Sequence, residues 1–459
     1  MKKSKKFVLA ALVLLAITGL LALAGCKNDT VPETPAAKLV SISVTPPAQT
    51  VYSEGQSFDP TGMKVTATYD DGTTRTVTGT ITTDTSTLTE SAGIGKTVTV
   101  SYTEGGITRE ASFTIDVASY QFTETVQDVD SSYTGTMTEG TYKKFGDWPQ
   151  TIKEEGVEIG SGTLVRGGLT YHVGSDGNYY VKITAKPYED TYTYSDGNLV
   201  EKDKEVYFKV EPIVWRVLTT NYTAPPEGGT VGEILLLAES ILTGGIPYYH
   251  FDWEEGSLSG MEWSGPRIIG NKTIHPNNYE HSQIRAWLNG LSYESKESEE
   301  AKQSSKDEYK NAGFLQTAFT QSAQKLIELT TVDNTAASTT DAGSNLPPAT
   351  DYACANTKDK IFLLSEQEAT TLNSGFAAYD AYGKGSTRIR VTTDYAKATG
   401  AYQSSTEGYG GWWWLRSPHC ILEDIARGIS LHGLALNNGI VLDTDGGVVP
   451  ALSISLEGN

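Results

Sequence analysis

From Lys38 to Val117 the chain alternates apolar and polar residues with a period of two, and few folds other than stacked antiparallel strands accept that pattern. Met63, Val65, Ala67 and Tyr69 occupy every second position, and Asp71-Gly72 follows as a turn. Val98, Val100 and Tyr102 alternate again before Gly105-Gly106, and Phe113, Ile115 and Val117 close the series. Successive side chains of a strand point to opposite faces, so such alternation buries one face and wets the other. Apolar-periodic runs bounded by turn signals at this spacing predict a β-sandwich over residues 38–118.

Upstream, Lys2, Lys3, Lys5 and Lys6 precede an apolar run from Phe7 to Leu23 and the exit Leu23-Ala24-Gly25-Cys26. A basic head, a greasy middle and small exit residues make residues 1–25 an export signal. The run is short for a membrane span of about 20 residues. The last four residues resemble the bacterial lipobox, which implies a diacylglyceryl group on the Cys26 sulfur and cleavage before it. Two or three acyl chains make such attachment stable, where one is marginal. Polar, proline-punctuated residues 26–37 read as a leash. The rest is expected outside the cytoplasm, in the cell envelope on the outer membrane or cell surface. Membrane contact is expected through the lipid alone. Lys27 stands where an aspartate would retain some lipoproteins at an inner membrane.

The formal charge is −20, and loss of the four leader lysines takes it to −24. Phosphate binding needs clustered Lys and Arg, so nucleic acid is excluded as an expected partner. Besides Cys26 the chain has only Cys354 and Cys420. In an oxidising compartment they either pair as one disulfide or stay free.

Residues 119–140, acidic and weakly patterned, read as a linker, and residues 141–459 as a larger mixed α+β domain. There Val206, Phe208 and Val210 alternate, then Ile213, Trp215 and Val217 continue one step out of phase across Glu211-Pro212. A phase slip beside proline predicts a bulge. Ile284, Trp287, Leu288 and Leu291 predict a helix started by Ser282 and stopped near Gly290. Thr320 is positioned to cap a helix carrying Ala323, Leu326 and Ile327, and Ser365-Glu-Gln-Glu368 fits a capping box. Residues 292–310, 333–350 and 394–411 are expected as exposed inserts, the first charged enough for a surface helix.

The segment from Ile42-Ser-Val44 through Tyr52-Ser-Glu-Gly55, Phe58-Asp-Pro-Thr-Gly62 and Tyr69-Asp-Asp-Gly72 resembles the bacterial immunoglobulin-like repeat of surface proteins. That resemblance implies a spacer or adhesive module without an active site. In the larger domain, Phe145-Gly-Asp-Trp-Pro-Gln-Thr151, Trp215-Arg-Val-Leu218 and Ser282-Gln-Ile-Arg-Ala-Trp-Leu-Asn289 are the first of an ordered set. Asp359-Lys-Ile-Phe-Leu-Leu-Ser365, Trp413-Trp-Leu-Arg-Ser-Pro418 and Val449-Pro-Ala-Leu452 complete it. The set resembles domain-of-unknown-function family 6273, which looks similar to the C-type-lectin-like fold of formylglycine-generating enzymes and retroelement-diversified surface lipoproteins. Val449 stands where family members usually carry Arg, which puts any role for an arginine there in doubt.

Chemistry-bearing motifs are sparse. The closely spaced thiol pair of formylglycine-generating enzymes is missing in sequence, and the six histidines show no HExxH or Cys/His spacing for zinc. Ser322-Ala-Gln-Lys325 fits S-x-x-K, but its companion signatures S-D-N and K-T-G are absent. Asp443-Thr-Asp445-Gly446 reads as a hairpin turn, as do the Asp-Gly pairs at 71–72, 176–177 and 196–197. No metal, cofactor or enzymatic activity is expected. Aromatic residues are abundant in Gly-rich stretches, and Tyr and Trp on loops give wide, rigid contact area. The expectation is a lipoprotein in which an immunoglobulin-like spacer displays a C-type-lectin-like domain that binds an extracellular glycan or protein. Trp253, Trp263, Trp413 and Arg416 are its candidate contacts, on loops around 245–275 and 376–440. The alternatives are an envelope enzyme of unknown class and a structural envelope lipoprotein.

Overall fold

The computed structural model describes residues 36–129, 137–222, 233–249, 251–252, 266–269, 271–297, 302–339, 350–371, 375–377, 386–435 and 437–455. Cys26, Trp253 and Trp263 lie outside the described residues.

The alternating N-terminal stretch becomes seven strands: β1 (Leu39–Thr45), β2 (Val51–Ser53), β3 (Lys64–Tyr69), β4 (Thr74–Val77), β5 (Thr80–Ile81), β6 (Gly93–Glu104) and β7 (Ile107–Ala118). They form two sheets, β1-β3-β4 and β2-β7-β6-β5. Between them lie Val65, Ala67, Tyr69, Val98, Val100, Ile115 and Val117, the apolar half of the alternation. Gly72 closes its turn at φ 79°, a conformation glycine adopts without steric cost.

The remaining strands begin with β8 (Gln127–Asp128), β9 (Tyr142–Ile152), β10 (Leu164–Arg166), β11 (Leu169–Val173), β12 (Tyr179–Thr184), β13 (Glu205–Tyr222) and β14 (Glu233–Ala238). They build a nine-stranded sheet in the order β10-β11-β12-β13-β14, continued by Ala451–Ile454 and Ile361–Phe362, with β9 on β13 and β8 on β9. The 18-residue β13 joins its halves. It pairs with β12 over Glu205–Lys209, with β9 over Phe208–Arg216 and with β14 over Trp215–Tyr222. Its register against β9 shifts between Lys209 and Val210 and between Pro212 and Val214. The phase slip across Glu211-Pro212 is thus a pair of irregularities that keeps Phe208, Val210, Ile213, Trp215 and Val217 buried.

Helices are short. Gln283–Asn289 starts at Ser282, whose Oγ accepts the Arg285 N–H at 3.2 Å, and ends at Gly290 with φ 68°. Ser365 and Glu368 form the reciprocal capping box: the Ser365 N–H donates to Glu368 Oε2 at 2.8 Å, and the Glu368 N–H donates to Ser365 Oγ at 3.0 Å. Other expectations are corrected. Residues 293–297 and 302–306 pair as antiparallel strands rather than forming a helix, since a polar, charged stretch without apolar periodicity is compatible with either. After Thr320 a single 3-10 turn forms, Ala323–Lys325. The 394–411 segment is not an exposed insert at its start, because Asp394, Tyr395, Ala396 and Ala398 are buried in a helix, Asp394–Ala398. Gly177 and Gly197 close turns at positive φ, whereas Asp443–Gly446 folds back as a loop in which Thr444 O accepts the Gly245 N–H at 2.7 Å.

The presumed linker also departs from expectation. Residues 119–129 pack on the larger domain: the Ser119 and Tyr120 N–H groups donate to Gly177 O at 3.0 and 3.1 Å. Phe122 stacks on Tyr179 with ring centroids 4.9 Å apart, and the Arg166 guanidinium lies 3.8 Å from the Phe122 centroid. Val51 and Ala118 of the sandwich share a small core with Tyr171, Val173, Tyr179 and Val181. Buried Asp116 accepts N–H groups from both sides of this joint, Gly95 at 2.7 Å and Gly162 at 2.6 Å. Weak apolar patterning misled because aromatic rings, rather than alternation, hold this segment down.

Candidate functional site

Two of the four candidate contacts are interior. Trp413 and Arg416 lie on the strand Trp413–Pro418, every residue of which is buried. Trp413 donates its indole N–H to Arg388 O at 3.1 Å. Trp412 and Trp414 pack edge to face on the opposite side, 4.7 Å apart. Side chains of this run alternate between the faces of its sheet, and Trp412, Trp413 and Trp414 are all buried because both faces are covered. Arg416 forms an ion pair with both oxygens of Glu368 and donates to Leu363 O at 2.8 Å and Asp333 O at 3.1 Å. It is a packed structural charge and cannot meet a ligand.

Cys354 and Cys420 are both free thiols. Cys354 packs against the main core near Tyr248 and Tyr279, and burial pushes its thiol up to about 11. Cys420 sits in the turn after Pro418-His419. The alternative in which they pair is therefore not realised in this structure. Among the described residues no group of three or more His, Cys, Asp and Glu is placed to hold a metal ion.

A cleft of ≈ 490 Å³ opens elsewhere in the larger domain. This lies within the range of about 300–1,000 Å³ typical of small-ligand sites. Four aromatic residues line it: Trp148, Trp287, Tyr309 and Tyr395. Trp148 comes from β9 and is fixed by its indole N–H donating to Leu242 O at 3.0 Å. Trp287 comes from the Ser282-capped helix and meets Trp148 edge to face at 5.9 Å. Tyr395 comes from the helix Asp394–Ala398, started by Thr393 Oγ1 accepting the Ala396 N–H, and packs edge to face on Trp148 at 5.9 Å. Buried Asp394 ties that helix to Ser195 N–H at 2.8 Å and Ile152 N–H at 3.2 Å. Tyr309 stacks on Tyr293 and accepts the Gln283 side-chain N–H at 2.8 Å. Burial holds the Tyr309 and Tyr395 phenols protonated, well above the ordinary tyrosine range.

The polar groups of the cleft divide into spent and unspent. Thr317 Oγ1 donates to Gly313 O and accepts the Gly168 N–H, both at 2.8 Å. Thr399 Oγ1 accepts the Gly244 N–H at 2.9 Å and donates to Tyr395 O at 3.1 Å. Thr243 Oγ1 lies 3.0 Å from Gly244 O. Exposed Lys186 and Glu308 stand at the rim, and Glu308 takes the Tyr293 hydroxyl at 2.9 Å. The lining thus carries one charge of each sign and offers aromatic surface with most hydroxyls already engaged.

Two regions of the sequence match family models. Residues 45–117 match the bacterial Ig-like domain (group 3), and residues 232–456 match the domain of unknown function DUF6273. The chain carries an Ig-like domain and a DUF6273 domain. No curated protein matches it. The combination is compatible with a surface or recognition protein. Trp287, Tyr309 and Tyr395 fall within the DUF6273 match, whereas Trp148 and the strands β11 and β12 precede it. The cleft therefore lies where the DUF6273 stretch packs on strands outside the match.

Trp148 and Trp287 belong to motifs that mark the family resemblance, and nothing local distinguishes a wall tryptophan from a core one. A usable signal was present in the glycine pairs Gly167-Gly168 and Gly244-Gly245. A Cβ on Gly168 would stand 2.6 Å from Ala312 O, and one on Gly244 would stand 2.2 Å from Ala401 N. Paired glycines mark close backbone approach, here along the cleft wall.

Proposed function

We propose that this protein is a cell-envelope lipoprotein, acylated at Cys26, whose DUF6273 domain is C-type-lectin-like and recognises an extracellular ligand rather than catalysing a reaction. The observation that carries this reading is the aromatic cleft, whose walls are locked by capped helices and buried hydrogen bonds before any ligand arrives. Preorganised aromatic surface gives contact area at low entropic cost. The Ig-like domain serves as a spacer between lipid and cleft, and the packed joint at Asp116 gives that spacer a defined direction.

Two measurements test this reading. Labelled palmitate should enter the wild-type protein in its native host and be absent from Cys26→Ser, which should partition with soluble protein. The full chain in detergent should bind components of host matrix or envelope extracts, and Ala312→Trp, which fills the cleft, should abolish that binding with the fold intact by circular dichroism. Binding indifferent to Ala312→Trp, or measurable turnover of the bound component, would overturn the reading.

A further inference from the structure

We infer that the cleft takes an extended polypeptide segment, held by its main chain along the edge of β12 with a bulky apolar side chain among the aromatic walls. This rests on the reading of the cleft as a recognition site and names its ligand class. The inference starts from a gap in the sheet. The β11–β12 pairing runs through Tyr171–Val181 and stops, while β12 continues against β13 as far as Thr184–Glu205. In that register the next facing pairs would be Thr170 with Lys182 and Leu169 with Ile183, and neither forms. Leu169 is paired on its other side with Arg166 of β10, and both Leu169 and Ile183 line the cleft.

The direction of the backbone groups on this freed edge follows from their neighbours. Ala185 donates its N–H to Lys204 O at 2.9 Å and accepts the Asp203 N–H at 2.8 Å, so both its polar groups face the β13 side. Polar groups of successive strand residues alternate in direction, so the Thr184 N–H and C=O face the side that β11 has left. Lys186 agrees, since its N–H crosses to Ala398 O at 2.7 Å. Beyond Val181 no described strand pairs with that side of β12. An unpaired donor and acceptor on a strand edge beside an apolar cavity is the arrangement that captures a peptide by strand addition.

The same wall disfavours a saccharide. Each sugar hydroxyl buried in the cleft would need a partner, since an unmet buried polar group costs about 1–3 kcal/mol. The hydroxyls of Thr243, Thr317 and Thr399 are already committed within the protein, so the polar side chains that a saccharide could meet include those of Thr184, Lys186, Glu308 and Tyr309. An anionic ligand is disfavoured too, because Lys186 is balanced by Glu308 and the chain is strongly acidic. An extended peptide needs only the edge groups, the rings and room for side chains. Because strand side chains alternate, every second residue of the ligand should face the rings.

The test is selection of random linear peptides displayed on phage against the full chain, with counter-selection on Ala312→Trp. Peptides with apolar residues two apart and few prolines are expected. Thr184→Pro removes the edge N–H without touching the β13 ladder, and should weaken a selected peptide about three- to tenfold, the worth of one hydrogen bond. Should Thr184→Pro unfold, N-methylation of successive peptide amides, read on the wild-type protein, must weaken binding at alternate positions. Peptide binding insensitive to both changes would overturn strand addition. Saccharide-array binding that Ala312→Trp removes, with no peptide selected, would overturn the peptide inference and keep the recognition reading. A protein that binds neither class in a manner sensitive to Ala312→Trp loses both.

Discussion

Replacing Glu368 by Leu decides whether Arg416 is structure or site. Arg416 is fully buried, with an ion pair to Glu368 and carbonyl contacts to Leu363 and Asp333. Glu368 also accepts the Tyr222 hydroxyl and the Ser365 N–H, each at 2.8 Å. Glu368→Leu strands a buried guanidinium, which costs about 3–5 kcal/mol. Unfolding entropy is about 2.1 cal/mol/K per residue, so over a unit of roughly 320 residues the melting temperature falls by about 4–7 °C. Differential scanning calorimetry at neutral pH reads this directly. Glu368→Leu with Arg416→Met removes both charges and should cost less than Glu368→Leu alone, because a buried pair replaced by apolar groups is often close to neutral. The pH dependence has a fixed sign. Burial raises the Glu368 carboxyl, but Arg416, the Ser365 N–H and Tyr222 outweigh it and hold the group below the usual range. Its stabilisation is therefore complete above the unfolded value of about 4.3 and drains as pH falls through the lower folded value. The gap between wild type and Glu368→Leu should close on acidification. A cost below about 1 kcal/mol, against the 3–5 expected of a broken buried pair, would refute the argument and return Arg416 to the list of ligand contacts.

Asp116→Ala leaves the Gly95 and Gly162 N–H groups without their acceptor, at about 2–6 kcal/mol for the two; calorimetry should then resolve separate melting of the sandwich and the larger domain, and limited proteolysis should cut near residue 118. Asp443 is held up to about 6, by burial first and by Asp445 second. A carboxyl raised in the fold lends stability below its unfolded value of about 3.9 and loses it as pH rises through 6, so Asp443→Asn should flatten the stability profile between pH 4 and 7 by on the order of 1 kcal/mol after solvent screening. Gly290→Ala places a Cβ 2.1 Å from Gln316 Oε1 at φ +68°, and should lower stability by about 1–2 kcal/mol in urea titration with little change in slope.

Legibility followed the range of the interaction that fixes each element. Period-two alternation in 38–117 and the 3.6-residue pattern of Ile284, Trp287 and Leu288 are local, and both emerged as read, with Ser282 and Gly290 at the helix ends. The bulge at Glu211-Pro212 was legible because proline cannot donate to a ladder and a phase slip has to be absorbed somewhere. The strand pair 293–297 and 302–306 was not, since its charged residues satisfy strand and helix alike. Nor was the docking of 119–129, which depends on Phe122 meeting Tyr179 and Arg166 from distant strands.

The candidate site escaped the sequence for a related reason. Trp413 and Trp148 carry the same ring in similarly apolar settings, yet one ends in a core covered on both sides and the other on a cleft wall. What separates them is whether a neighbouring strand arrives. Around Trp413 the strands Ile425–Ile429 and Asn437–Ile440 complete the sheet. Beside Trp148 the sheet is left incomplete, because β11 pairs with β12 only over Tyr171–Val173 while β12 runs on against β13 as far as Thr184. A cavity therefore forms where a strand is missing, and its walls inherit both the apolar surface and the unmet backbone groups of that strand. Such a site asks for the chemistry of what is absent, and a strand of another polypeptide supplies both parts at once.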